Sequence, residues 1–202
     1  MAGSLPFGFW ISKCLGVDIR DKGSGNIGAT NVLRALGKKV GITVLILDIL
    51  KGFLPVLIGS LIIFSELPDS MRDNEEIVGT IYVLLAIAAI VGHNYTFWLG
   101  FKGGKGIATS AGSIMPFLPQ VLIGALLIWI ISFFLTRYVA IASMAAAFSI
   151  PILTAVLDHN YLFPEINSSL PVISFGVIAA IMAVWRHRSN IQRLMKGEED
   201  RF

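Results

Sequence analysis

Residues 107–135 read IATSAGSIMPFLPQVLIGALLIWIISFFL, an apolar run of 29 residues broken by Pro116 and Pro119. About 20 helical residues cross a bilayer core of roughly 30 Å, so the run is too long for one span. Each proline removes a backbone donor and breaks a helix, and irregular backbone at membrane depth is tolerated where protein buries it. The pattern therefore predicts a short helix over 105–117 that enters and turns, and a return over 119–135.

Working outward, further apolar segments lie at 40–64, 77–99, 138–157 and 170–185, and a shorter one at Met1 to Leu15 cannot span by itself. With 55% hydrophobic and 14% charged residues and a mean hydropathy of +0.76, the chain reads as an integral membrane protein rather than a soluble domain. The expected class is all-α, a polytopic membrane protein with one domain over 1–202 and about seven membrane-inserted helices, some short. Cys14 is the only cysteine, which excludes an internal disulfide, and no His or second Cys stands near it. Thiol and metal chemistry are not expected, and no cofactor is. The amino end lacks the charged region and cleavage site of a signal peptide.

Charge sets the sides. Lys13 to Lys39 carries six Lys/Arg against two Asp, and the tail from Arg186 carries five against three acids. Glu66 to Glu76 and Asp158 to Glu165 hold seven acids and only Arg72. The basic segments are predicted to face the cytoplasm, with Arg137 at a cytoplasmic turn and the acidic loop at 158–169 outside. Because the cations gather at one membrane face, a pI near 9.1 gives no reason to expect nucleic acid as a partner.

Three polar segments meet at that face. The first, KGSGNIGATN at 22–31, has the letters of a dinucleotide fingerprint, but no strand precedes it. Its physics still suits an anion: Gly23 and Gly25 permit a tight turn with converging N–H groups, Ser24, Asn26, Thr30 and Asn31 offer donors, and Arg34 can grip phosphate bidentately. An ordinary polar loop capping the next helix would explain less of it. The second segment, GHNYTFWLGFKGGKGIAT at 92–109, places Lys102, Gly103, Gly104, Lys105 and Gly106 before a short helix, whose amino-terminal N–H groups and dipole favour an anion. Lys105 is followed by Gly rather than Ser or Thr, so it is no nucleotide-hydrolysing P-loop. His93 and Asn94 either line this site or cap the preceding helix. The third, RHRSN at 186–190, puts His187 and Asn190 on one helical face, and His187 is the best candidate for handling a proton.

Polar residues also occur inside apolar segments, where ionisable groups are expensive and face a cavity or a partner. Asp48 and Lys51, three apart, either pair structurally or turn Lys51 toward the anion site. Ser143, in the small-residue run Ala140 to Ala147, fits close helix packing as well as substrate contact.

The order GSGNIGATNVLR, GHNYTFWLGFKGGKGIAT, RHRSN in a chain of about two hundred residues closely resembles the bacterial PlsY family of acyl-phosphate:glycerol-3-phosphate acyltransferases. The resemblance implies an inner-membrane, multi-pass enzyme of phospholipid synthesis with its active site facing the cytoplasm. Such an enzyme moves a fatty acyl group from acyl phosphate to the first hydroxyl of glycerol 3-phosphate, giving lysophosphatidic acid and phosphate. It implies catalytic roles for Ser24, Arg34, Lys105, His187 and Asn190. It assigns Asn26, Thr30 and Asn31 to the first motif and 102–106 to the glycerol-3-phosphate site; together with the residues singled out above, the substrate-contact candidates are Gly23, Gly25, Asn26, Thr30, Asn31, Lys51, His93, Lys102, Gly103, Gly104, Gly106 and Ser143. It further implies a structural Glu in the tail, matched by Glu198 or Glu199, and a transient contact with the enzyme that makes the acyl phosphate. The chain departs from the family at its start, where members carry a longer first helix before the SLPFG stretch. The H-x-x-x-x-D signature of other glycerolipid acyltransferases is absent, since His93 has Trp98 five residues later. A transporter of phosphate esters is the rival class; it calls for an internal repeat, and the GSGN and KGGK segments have no counterpart beyond residue 110.

Overall fold

Every regular element among the described residues, 1–157 and 170–202 of this computed structural model, is helical. In chain order they are α1 Phe7–Cys14, α2 Ala29–Leu36, α3 Lys38–Glu66, α4 Asp69–Arg72, α5 Glu75–Asn94, α6 Ile107–Ile114, α7 Pro119–Thr136, α8 Val139–Val156, α9 Leu170–Arg186 and α10 Arg188–Lys196. Short 3-10 turns cover Ala2–Ser4, Ile19–Asp21 and Phe97–Leu99. The long apolar run divides where its prolines stand: α6 stops at Ile114, and α7 starts on Pro119, a first-turn position that needs no N–H donor. The acidic loop expected at 158–169 lies outside the described residues.

Among the described residues, four helices are long and apolar enough to cross a membrane: Lys38–Glu66, Glu75–Leu99, Pro119–Thr136 and Val139–Val156. α9 with α10, bent by 53°, makes a fifth if the pair is one span. α1 and α6 have eight residues each, about 12 Å of helix, and do not reach across. They serve instead to place loops.

The chain forms two compact units, Met1–Leu61 with Leu85–Pro116 and Ile62–Leu84 with Phe117–Phe202. In the first unit, glycines let backbones touch. Gly52 on α3 lies against the Thr109 carbonyl and the Ser113 amide of α6, and Gly112 on α6 lies against the Ile49 carbonyl and the Phe53 amide of α3. In lipid, where apolar burial gives helices no reason to associate, such close approach is what holds them. The amino-terminal segment is clasped in the same way: Gly3 sits on the Ala89 backbone of α5, and Gly8 on the Ile27 carbonyl. The Thr96 hydroxyl donates to the Ser4 carbonyl. A buried cluster of Ile19, Ile27, Val32 and Val44 receives Phe9, Ile11 and Leu99, so one apolar core joins the first polar loop to the turn that leads into the second.

In the second unit α8 packs between α7 and α9. Gly176 of α9 lies on Pro151, inside α8, and Tyr82 stacks on Phe117 at 5.1 Å. Arg137 caps α7 with φ 64, at the turn the sequence predicts, and its carbonyl accepts the Phe202 amide at 3.0 Å. The Phe202 ring meets Phe133 at 5.9 Å, so the tail returns to the α7–α8 turn.

Candidate active site

The first polar loop is built around one amide. Asn31, on the first turn of α2 and 4% exposed, accepts the Ser24 N–H at 3.1 Å. Its Nδ2 donates to the carbonyls of Ile19, Lys22 and Asn26 at 3.2, 2.9 and 2.9 Å. Both amide protons are thus taken up within the loop, and the donor role expected of Asn31 is filled inside the chain. Gly23, at φ +51, belongs here because a Cβ would stand 2.5 Å from Asn31 Oδ1. Asn26 turns its Oδ1 onto the Gly28 amide at 2.8 Å, closing the turn that opens α2. Ser24 and Arg34 are exposed, and Thr30, half-buried, stands four residues before Arg34 on one face of α2. Upstream, Asp18 caps the 3-10 turn through the Arg20 amide and holds the Arg20 guanidinium at 2.6 Å. That hydrogen bond keeps the Asp18 carboxyl far below the usual carboxylate range and raises Arg20 above its own.

The second polar loop begins where α5 ends. After the turn at Phe97–Leu99, Gly100 and Phe101 are both left-handed, with φ 61 and 63, and the Phe101 amide returns to the Thr96 carbonyl at 2.8 Å. A bulky residue in that region is uncommon and is kept by the structure around it. The chain then doubles back on α5: the Gly103 amide donates to the Asn94 carbonyl at 3.2 Å and the Gly104 amide to the His93 carbonyl at 3.1 Å. Gly104 has no room for a side chain, because a Cβ would overlap the His93 ring at Nε2. Gly106, at φ +84, caps α6, and its α-carbon faces Asn94 Oδ1. The Asn94 amide is 1% exposed and the Thr109 hydroxyl 0%, and neither has a hydrogen-bond partner among the described residues. Buried polar atoms without partners are rare and call for an explanation. Both flank the start of α6, whose first N–H groups favour an anion. Lys105 is half-buried at this turn and Lys102 exposed.

Behind the turn, Lys51 pairs with Asp48 at 2.7 Å and donates to the Leu5 carbonyl at 2.8 Å. The pairing raised from their spacing is present, and it ties α3 to the start of α1. His93, 4% exposed, brings Nδ1 to 3.9 Å from the Asp48 carboxylate.

Ser143, His187 and Asn190 belong to the second unit. The Ser143 hydroxyl accepts from Trp129 Nε1 at 3.2 Å, joining α8 to α7. His187 lies at the α9–α10 bend, 3% exposed, with Nδ1 2.7 Å from the Ala183 carbonyl. A carbonyl only accepts, so Nδ1 carries the proton and the lone pair of neutral His187 is on Nε2. Asn190 donates to Glu199 at 2.6 Å, and Arg193 reaches the other Glu199 oxygen at 2.7 Å. Of the two tail acids, Glu199 is the one with a structural task. Arg193 is absent from the residues that the sequence singles out; its place three residues after Asn190, on the same helical face, is the signal that points to it.

A family model described as glycerol-3-phosphate acyltransferase matches residues 1–197. Glycerol-3-phosphate acyltransferases of Fusobacterium nucleatum and Geotalea daltonii are 40% and 42% identical to the chain, covering 99% and 100% of it and 92% and 93% of their own lengths. Two crystal structures of PlsY, an integral membrane glycerol 3-phosphate acyltransferase, superpose with TM-scores of 0.83 for its glycerol 3-phosphate form and 0.80 for its lysophosphatidic acid form. Each is 38% identical and covers 100% of this chain and 90% of its own. A helical membrane protein with two glycine-built polar loops on one core, matched over its full length, belongs to the PlsY family of glycerol-3-phosphate acyltransferases.

Proposed function

We propose that this chain transfers a fatty acyl group from acyl phosphate to the first hydroxyl of glycerol 3-phosphate, at the cytoplasmic face of the bacterial inner membrane. The glycerol oxygen attacks the acyl carbonyl, the bond from acyl carbon to phosphate oxygen breaks, and lysophosphatidic acid and phosphate leave. The observation that carries the reading is the turn at 102–106. There, Lys102, Lys105 and the start of α6 gather positive character beside the Asn94 amide and Thr109 hydroxyl, which have no hydrogen-bond partner among the described residues. Ser24, Thr30 and Arg34, at the first loop and the start of α2, supply a second anion-holding group in the same unit. Two phosphorylated reactants call for two such groups.

Acyl phosphates are already activated, so holding the hydroxyl near the carbonyl and stabilising charge on the departing phosphate is sufficient catalysis. No covalent intermediate on Ser24 is required. The hydroxyl proton goes to a side-chain base, for which the sequence offers His187, or to a phosphate oxygen of the donor. The basic segments support the cytoplasmic orientation. A transient contact with the enzyme that makes the labile donor belongs to the same reading. Purified protein in detergent, given acyl phosphate and glycerol 3-phosphate, is expected to form lysophosphatidic acid and phosphate in equal amounts. Absence of either product without a sealed membrane overturns the reading.

A further inference from the structure

Asp48 sits inside a membrane-crossing helix, and nothing in the proposed chemistry uses it. Its side chain and that of Lys51 are each 3% exposed, with 2.7 Å between Oδ1 and Nζ. An ion pair at this depth is an expensive way to join helices, because desolvation offsets its attraction and apolar residues of similar volume are often as stable. The surroundings show what an apolar pair cannot do. The same Oδ1 is 3.9 Å from Nδ1 of His93 on α5. His93 in turn contacts the turn at 102–106 twice: its carbonyl accepts the Gly104 amide at 3.1 Å, and its ring occupies the space that a Cβ on Gly104 would fill. The imidazole is therefore a wall of the turn, and the carboxylate stands behind that wall. At 3.9 Å the contact is longer than a hydrogen bond, so Asp48 acts on the ring through charge and packing. Lys51 holds that same oxygen in place and is itself fixed by the Leu5 carbonyl.

We propose that Asp48 is a positioning residue for the Gly103–Lys105 turn, acting through His93. The consequence for catalysis rests on the reading of that turn as the glycerol-3-phosphate loop; the consequence for the turn's order does not.

The decisive variant is the double substitution Asp48→Leu with Lys51→Met, which removes both charges and leaves neither unpaired. Three quantities are measured on the purified protein in detergent: the thermal midpoint, hydrogen–deuterium exchange of the peptide covering 102–106, and the steady-state constants. The expected result is a thermal midpoint close to the parent's, exchange at the Gly103 and Gly104 amides faster by roughly tenfold, and a KM for glycerol 3-phosphate raised by about tenfold with kcat little changed. Parental exchange at 103–104 in a folded double variant overturns the proposal and leaves Asp48 as helix cement. Faster exchange with an unchanged KM supports the positioning role and removes the turn from the glycerol-3-phosphate site. Should the double variant fail to fold, Asp48→Asn is read by exchange alone. A rise confined to 102–106 supports the proposal, and a rise spread equally over α5 overturns it.

Discussion

Glu199 holds Asn190 and Arg193 at once, one carboxylate oxygen 2.6 Å from the Asn190 amide and the other 2.7 Å from the Arg193 guanidinium. The tail therefore fixes the orientation of a residue on the same helical face as His187, through a carboxylate whose side chain is 6% exposed.

Glu199→Ala is expected to leave the buried Asn190 donor without its acceptor, at about 1–3 kcal/mol, and to lower activity roughly tenfold or more. Glu199→Gln keeps an oxygen for Asn190 and should retain more of the rate. Activity and thermal midpoint of both variants in detergent check this; equal loss in the two would show that charge on Arg193, rather than the Asn190 contact, matters.

Gly23→Ala combines a left-handed backbone, costing about 1–2 kcal/mol, with contact on Asn31 Oδ1 at 2.5 Å. Gly16→Ala is the control, since Gly16 has φ +79 and nothing within 4 Å of the place its Cβ would take. Activity should fall much further for Gly23→Ala, because only there is the Ser24 amide released from Asn31. Matching losses in the pair would reduce the effect to backbone strain.

Lys105→Ala should raise the KM for glycerol 3-phosphate by about tenfold or more while kcat changes less, the pattern of a lost binding contact. Kinetics identical to the parent's would remove Lys105 from that site.

His187→Ala is expected to lower kcat by about a hundredfold or more and to flatten the acid limb of the pH–rate profile, as loss of a general base does. A rate near the parent's with its profile intact assigns the proton to the donor phosphate.

The features legible in the sequence are those set by neighbours along the chain. Pro116 and Pro119 divide 107–135 at the predicted place, since a missing N–H acts within one turn. The segment at 77–99 is less regular than its hydropathy suggests: α5 stops at Asn94 and a separate 3-10 turn follows, because the Asn94 and His93 carbonyls accept from Gly103 and Gly104. The glycines and lysines of both loops were visible as types suited to an anion. Their division of labour was not. Asn31 reads as an outward donor by type, and only the path of residues 19–26 around it turns every amide proton inward.

By itself, then, the sequence determined an all-helical membrane chain, the breaks in its apolar runs and the two anion-suited loops, because hydropathy, proline and glycine act through local backbone chemistry. Tertiary structure decided that Leu99 and Ile27 share one core, that Lys51 turns to Asp48 and the Leu5 carbonyl, and that His93 backs the Gly104 turn. The Leu99–Ile27 and Lys51–Leu5 contacts join residues tens of positions apart, and they set the surroundings in which the nearer Lys51–Asp48 and His93–Gly104 pairs are oriented. They exist only once glycines on α3, α5 and α6 let backbones approach, and such long-range closeness leaves no periodicity in the sequence to read.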